Sequence, residues 1–242
     1  MKKILSFLLA FSFCMGLTAC GNTAAAPGAG TGAPKTSEPA LGTETPTETE
    51  NPGENADPQP EESADEAGSS ILVAYFSRTG ENYGVGTIEK GNTHIIADMI
   101  VEQTGADIFE ISTVTPYPDD YDECTDVAKQ EQDENARPEL TALVENFEDY
   151  DVIFLGYHIW WGDMPMAVYT FLESYDWNGK TIIPFSTHAG SGLAGTENDI
   201  ASACPGAEML DGLAVSGSVA QNSQDEAKDA VVNWLRETGF AE

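Results

Sequence analysis

The chain predicts a doubly wound α/β domain whose five-stranded parallel sheet is covered by helices on both faces. Three observations carry that expectation. Short apolar, β-branched runs recur along residues 70–242, and stretches of helical periodicity separate them. The runs are apolar throughout instead of alternating with polar residues, as strands buried on both faces must be. In such sheets ligands bind beyond the carboxyl ends of the strands, at the switch point of strand order.

The first strand is predicted at Ile71–Phe76. A helix follows at Thr93–Thr104, where Ile95, Ile96, Met99 and Ile100 share a face and Gly105 provides a stop. Asp107–Ile111 reads as the second strand, and the acidic cluster Asp119–Glu123 as a solvated loop or a helix start. A helix is expected at Pro138–Phe147, with Leu140, Leu143 and Val144 on one side, before a third strand at Val152–Leu155. Pro165–Tyr175 reads as a helix with Pro165 at its first position. The fourth strand is Thr181–Phe185, and Thr196–Ala203 is a short helix ended by Pro205. Met209–Val215 is the weakest strand. The last helix, Ser223–Glu237, opens with Ser223 and Glu226 at capping-box spacing and carries Ala230, Val231, Trp234 and Leu235.

The N-terminal third has a different character. Lys2 and Lys3 precede an apolar segment, Ile4–Thr18, which is short for a transmembrane helix and suits a secretory signal. Leu17-Thr18-Ala19-Cys20 resembles the lipobox of bacterial lipoproteins. The resemblance implies that residues 1–19 are removed, Cys14 with them, and that Cys20 carries a lipid. Residues 20–69 are then the lipidated cysteine and a linker. From residue 21 the linker has no aromatic residue and ten acidic residues against Lys35 alone. Such composition cannot bury enough apolar surface to offset chain entropy, so a disordered acidic tether is expected. Its r.m.s. span as a flexible coil is roughly 40 Å.

Residues 70–242 hold 31 acidic and seven basic residues, a formal net charge of −24. That excludes ordinary nucleic-acid binding, which needs Lys and Arg to neutralise phosphates. Membrane attachment is therefore expected through the lipid, because anionic headgroups would repel the domain. Cys124 and Cys204 have neither zinc-site nor CxxC spacing, so no metal is expected. Buried free thiols are preferred for the pair over a disulfide.

Three loops fall at the predicted carboxyl edge. After the first strand comes Ser77-Arg78-Thr79-Gly80, then an insert, Glu81–Lys90, then Gly91-Asn92-Thr93 at a helix start. Hydroxyls, an amide and free backbone N–H groups at a helix N-terminus suit a phosphate. Neither a Walker A loop nor a GxGxxG fingerprint is present. After the third strand, Gly156-Tyr157-His158-Ile159-Trp160-Trp161-Gly162 brings aromatics that can stack on a flat ligand. After the fourth, Thr187-His188-Ala189-Gly190-Ser191-Gly192 is small enough for close backbone approach. One ligand with a phosphate at one end and a planar heterocycle at the other fits all three, and FMN matches best. His158 and His188 suit proton delivery to such a ligand, or else are polar loop residues facing solvent.

These motifs together resemble the flavodoxin-like family, in its bacterial lipoprotein-associated branch, over essentially all of residues 70–242. The resemblance implies that Ser77, Arg78, Thr79, Gly80, Gly91, Asn92 and Thr93 form the FMN phosphate loop, here split by the insert. It implies that Tyr157, Ile159, Trp160 and Trp161 lie by the isoalloxazine, and that Gly162 supplies a turn whose peptide can flip with the flavin's redox state. Thr187, His188, Gly190, Ser191 and Gly192 would then contact the pyrimidine edge. The function expected is that of a membrane-anchored, extracytoplasmic flavodoxin-like protein transferring electrons to a redox partner protein or a quinone-like acceptor. Two alternatives stand beside it: an FMN-dependent NAD(P)H:quinone-type reductase, and a binding module that kept the fold without the flavin.

Overall fold

The computed structural model describes residues 70–242. The expected signal segment, Cys20 and the expected linker lie outside the described residues. In chain order the elements are β1 (Ile71–Tyr75), β2 (Gly80–Asn82), β3 (Gly86–Ile88), α1 (Asn92–Thr104), β4 (Asp107–Glu110), α2 (Tyr121–Glu134), β5 (Val152–His158), α3 (Met166–Leu172), β6 (Thr181–His188), α4 (Thr196–Ala203), β7 (Glu208–Met209), β8 (Leu213–Ser216), α5 (Gly217–Asn222) and α6 (Gln224–Thr238). Among the described residues no helix is long and apolar enough to cross a membrane.

The main sheet runs β4-β1-β5-β6, with β7 and β8 both paired to β6 as two halves of an edge position. All its pairings are parallel. The predicted fifth strand is thus broken, because the chain departs from the ladder after Leu210, whose N–H still donates to the Ile182 carbonyl, and rejoins it at Leu213. Alternation along the central strands feeds two cores. Leu72, Ala74, Phe76, Ile153, Leu155 and Tyr157 face the side covered by α3 and α4, with Phe171 and Trp177 among the buried rings. Val73, Tyr75, Phe154, Ile183 and Phe185 face the other side, under α1 and α6. This two-sided burial is what makes the strands read as apolar throughout.

The structure corrects one predicted helix. Pro138–Phe147 is not helical: Leu140 forms an isolated bridge with Thr113, and only a turn of 3₁₀ helix follows at Phe147–Asp149. Leu140 and Val144 pack singly against the core, while Leu143 is half exposed. The helix of this region is α2, where Asp120 caps the start by accepting the Glu123 N–H at 2.9 Å. The acidic cluster is therefore a helix start. Ser223 does occupy the N-cap of α6, but its side chain makes no capping hydrogen bond. Pro165 sits at the N-cap of α3, so the helix starts at Met166, one residue later than predicted. Cys124 and Cys204 are both buried and unpaired, and burial pushes their thiols up to about 11 and about 12.

Candidate functional site

The carboxyl ends of β5, β6 and β8 and the start of α1 meet at one cavity of about 560 Å³, while Ser77, Arg78 and Thr79, just beyond β1, line a separate, smaller depression. Four segments of the sheet edge line it: Asn92 at the start of α1, His158-Ile159-Trp160 after β5, Thr187-His188-Ala189 at the end of β6, and Ser216-Gly217-Ser218 where β8 meets α5. A further wall comes from the insert, with Asn82, Tyr83 and Gly84, and from Tyr121 of α2. None of these residues is Asp, Glu, Lys or Arg.

The split phosphate-type turn closes despite its insert. A Cβ built on Gly91 would lie 2.1 Å from the Ser77 Oγ and 2.6 Å from the Arg78 carbonyl oxygen. Only a glycine allows that approach. Ser77 Oγ accepts the His94 N–H at 3.1 Å, and the Gly91 carbonyl accepts the Ile95 N–H at 3.2 Å. The N–H groups of Asn92 and Thr93, at the first helical positions, have no intrahelical acceptor and are available to an anion. Between Arg78 and Gly91 the intervening residues loop out as the antiparallel β2–β3 hairpin, with Gly80 opposite Ile88.

The remaining predicted phosphate residues serve that hairpin. Arg78 donates from its guanidinium to the carbonyls of Glu81, Pro118, Asp119 and Asp120, the middle two at 2.6 and 2.7 Å. Thr79 is exposed and Gly80 abuts Asp119. Thr93 is buried, and its hydroxyl meets that of Thr187 at 2.8 Å, joining the first and third loops directly.

In the aromatic loop the two tryptophans separate. Trp160 lines the cavity, with ring centroids 4.1 Å from His158, 5.1 Å from Tyr117 and 6.0 Å from Phe76. Trp161 stands half exposed with φ of 53°, and its indole N–H donates to the Thr125 carbonyl of α2 at 3.0 Å. It occupies, with Gly162 at φ 81°, the centre of a tight turn in which Trp160 and Asp163 exchange backbone hydrogen bonds. Tyr157 faces the opposite way, fully buried, with its hydroxyl 2.7 Å from that of Thr196.

Both histidines end strands. The His158 Nε2 is enclosed and has no hydrogen-bond partner in the protein. Burial, with a smaller contribution from Arg78, pushes its pKa down to about 3. At neutral pH it is an uncharged hydrogen-bonding group, not an acid. The His188 Nδ1 accepts the Gly190 N–H at 2.9 Å, which leaves the proton of the neutral ring on Nε2. Burial lowers its pKa as well. Beyond His188, Gly190, Ser191 and Gly192 do not line the cavity; Gly192 instead accepts from the Ser186 hydroxyl at 3.0 Å.

The strand order, the closed turn at a helix start and the aromatic loop are features of one family, and residues 70–237 match the model described as Flavodoxin. The chain belongs to the flavodoxin family. Two solved structures resemble this flavodoxin closely enough to support the fold. A candidate flavoprotein of Bacteroides eggerthii is 28% identical with a TM-score of 0.56, over 69% of this chain and 96% of that one. Another from Bacteroides uniformis is 27% identical with a TM-score of 0.55, over 70% of this chain and 99% of that one. A flavoprotein of Lactobacillus acidophilus, solved in complex with FMN, is 20% identical with a TM-score of 0.47, over 64% of this chain and 97% of that one. Among curated proteins none matches.

Sequence reasoning missed one part of this flavodoxin's cavity and left a second open, the insert being read either as a disruption of the phosphate turn or as a short excursion above the flavin. Ser216-Gly217-Ser218 was a legible signal, a hydroxyl and glycine cluster after the last strand. The wall formed by Asn82, Tyr83, Gly84 and Tyr121 depends on how the insert folds, which no local motif announced.

Proposed function

We propose that this flavodoxin binds FMN in the cavity at the sheet edge and transfers electrons at the outer face of a membrane, tethered through a lipid on Cys20. The observation that carries the cofactor is a pair of unpartnered polar atoms at the cavity. Two enclosed polar atoms without a protein partner, Asn92 Oδ1 and His158 Nε2, belong to residues lining one uncharged, aromatic-walled space. Buried polar atoms left unpaired are costly, and a polar ligand relieves them. The volume is that of an ordinary cofactor site.

The residues present therefore suit FMN. The α1 N-terminus, the Asn92 Nδ2–H and the hydroxyls of Ser216 and Ser218 would hold the phosphate, the Asn92 Oδ1 would accept from a hydroxyl of the ligand, and Ile159 and Trp160 would lie against the ring. Bound FMN would supply one- and two-electron chemistry through its isoalloxazine. The protein's own part is to bind the ring, exclude water from it and fix its hydrogen bonds. At neutral pH, His158 does this as a neutral imidazole. The His188 Nε2–H is a fixed donor at the opposite loop.

Transfer to a basic redox partner is favoured by the −24 charge of residues 70–242. A site for an anionic nicotinamide cofactor is disfavoured by the same charge, and the sequence carries no nicotinamide-binding fingerprint, so carriage of electrons ranks above NAD(P)H:quinone reduction. The visible spectrum of the purified protein with and without added FMN tests the cofactor. A colourless protein that leaves FMN fluorescence unquenched ends this reading. Steady-state NADH oxidation with a quinone, absent for a carrier, tests the role. Membrane attachment is tested by labelling with a radioactive fatty acid, which Cys20→Ser abolishes.

A further inference from the structure

We propose that the β2–β3 hairpin is an added wall of the flavin site and that Tyr83 at its tip positions the isoalloxazine ring; the inference rests on the FMN reading above. The hairpin is not needed to close the phosphate turn. Arg78 and Gly91 already touch at its two ends, so residues 79–90 form an addition to a turn that is complete without them.

The addition is held in a fixed direction. The Arg78 guanidinium clamps its base to the segment before α2 through the three carbonyls of Pro118, Asp119 and Asp120, while also donating to the hairpin's own Glu81 carbonyl, and the Glu81 N–H donates to the Asp119 carbonyl at 2.9 Å. The Asn82 amide braces the turn from inside, donating to Thr79 and Gly80 carbonyls at 3.3 and 3.2 Å. Gly84 and Gly86 take φ of 76° and 74°, conformations suited to a reversal this tight. What this anchoring presents to the cavity is Tyr83. It is 68% exposed, more than any other large apolar side chain among the described residues, and its ring lies 6.0 Å from that of Tyr121.

An exposed aromatic on a rigid mount beside a cavity is preorganised for stacking. The composition of the other walls shows why one is needed. Trp160 offers an aromatic surface after β5, but the lining after β6 is Thr187, His188 and Ala189, and that after β8 is Ser216, Gly217 and Ser218. Neither carries an aromatic side chain of the Phe, Tyr or Trp kind. A second such platform for the ring comes from the hairpin and its neighbour Tyr121.

The test is titration of the deflavinated protein with FMN and, separately, with riboflavin, which has the same ring and no phosphate. Tyr83→Leu keeps an apolar side chain without the ring and should weaken both flavins by the same factor, about 2- to 12-fold, the range of an aromatic pair. Tyr83→Phe should bind both as the parent does. Far-ultraviolet circular dichroism of each variant should match the parent. Unchanged affinity in Tyr83→Leu overturns the proposal, as does a loss confined to FMN, which would place the hairpin's effect on the phosphate. A loss in Tyr83→Phe equal to that in Tyr83→Leu also overturns it, since stacking would then not be the cause. A parent protein that binds neither flavin sinks the FMN reading itself, and this one with it.

Discussion

Ser77 and Gly91 lie on opposite sides of a twelve-residue excursion, yet a Cβ on Gly91 would fall 2.1 Å from the Ser77 Oγ. That contact makes the phosphate-type turn continuous in space though it is broken in sequence. Gly91→Ala should force the two halves apart. The hydroxyl of Ser77 can rotate away, but the Arg78 carbonyl at 2.6 Å is backbone and cannot. The expected cost is about 1–3 kcal/mol of stability, the usual range for overpacking, together with weakened FMN binding. Urea unfolding of the flavin-free protein and FMN titration measure the two effects. A variant as stable as the parent would show that the halves are not held together.

His158 should shape the acid limb of the stability curve. Its pKa is pushed down to about 3 in the folded protein, while the unfolded chain keeps the ordinary value near 6.5. Between those values the unfolded state binds a proton that the folded state does not, so stability falls as pH drops from about 6.5 towards 3. Above that window the residue contributes no pH dependence. His158→Gln, neutral throughout, should flatten the slope between pH 4 and 6 by up to about 1.4 kcal/mol per pH unit. Urea unfolding at several pH values reads this directly. An unchanged slope would mean that the imidazole titrates freely.

Lys180 gives a control remote from the cavity. Its buried ammonium donates to the carbonyls of Phe147, Glu148 and Tyr150 at 3.1, 3.2 and 2.6 Å, tying the 3₁₀ turn to the start of β6. Lys180→Met removes the donors and strands buried acceptors, which should cost about 1–3 kcal/mol. FMN affinity should not move. If it falls as far as in Gly91→Ala, binding is limited by global stability and neither variant reports on the turn.

The parts of the fold legible in sequence are those where burial is two-sided or chemistry is concentrated. β1, β5 and β6 stand out because both faces are covered, and the three loops stand out because hydroxyls, aromatics and glycines cluster beyond them. α2 was hidden because its 14 residues bury only Cys124 and Ala128, which leaves no apolar stripe to read. The false helix at Pro138–Phe147 shows the converse. Leu140 and Val144 have helical spacing, but each reaches the core separately, and the Val144 N–H is taken by the Tyr175 hydroxyl at 2.6 Å. Trp160 and Trp161 are adjacent in sequence and alike in composition. Only the positive φ of Trp161 sends the second ring out over α2.

The charge of the domain should set the direction of the redox potential. Reduction that leaves a negative charge on a bound flavin works against a field from a net −24, with no Lys or Arg lining the cavity to offset it. His158 stays neutral near physiological pH, and burial lowers the pKa of His188, so neither histidine is expected to supply the missing positive charge. The couple that yields the anionic reduced flavin should therefore lie below that of free FMN, by about 59 mV for each 1.4 kcal/mol of repulsion in a one-electron step. Because the carboxylates responsible are mostly at the surface, salt should screen them. Raising the ionic strength from 0.01 to 1 M shortens the screening length from about 30 to about 3 Å, and the potential should rise with it. A spectroelectrochemical titration at both salt concentrations makes the comparison. A potential at or above that of free FMN, or one that falls as salt is added, would show that local hydrogen bonds outweigh the field of the domain.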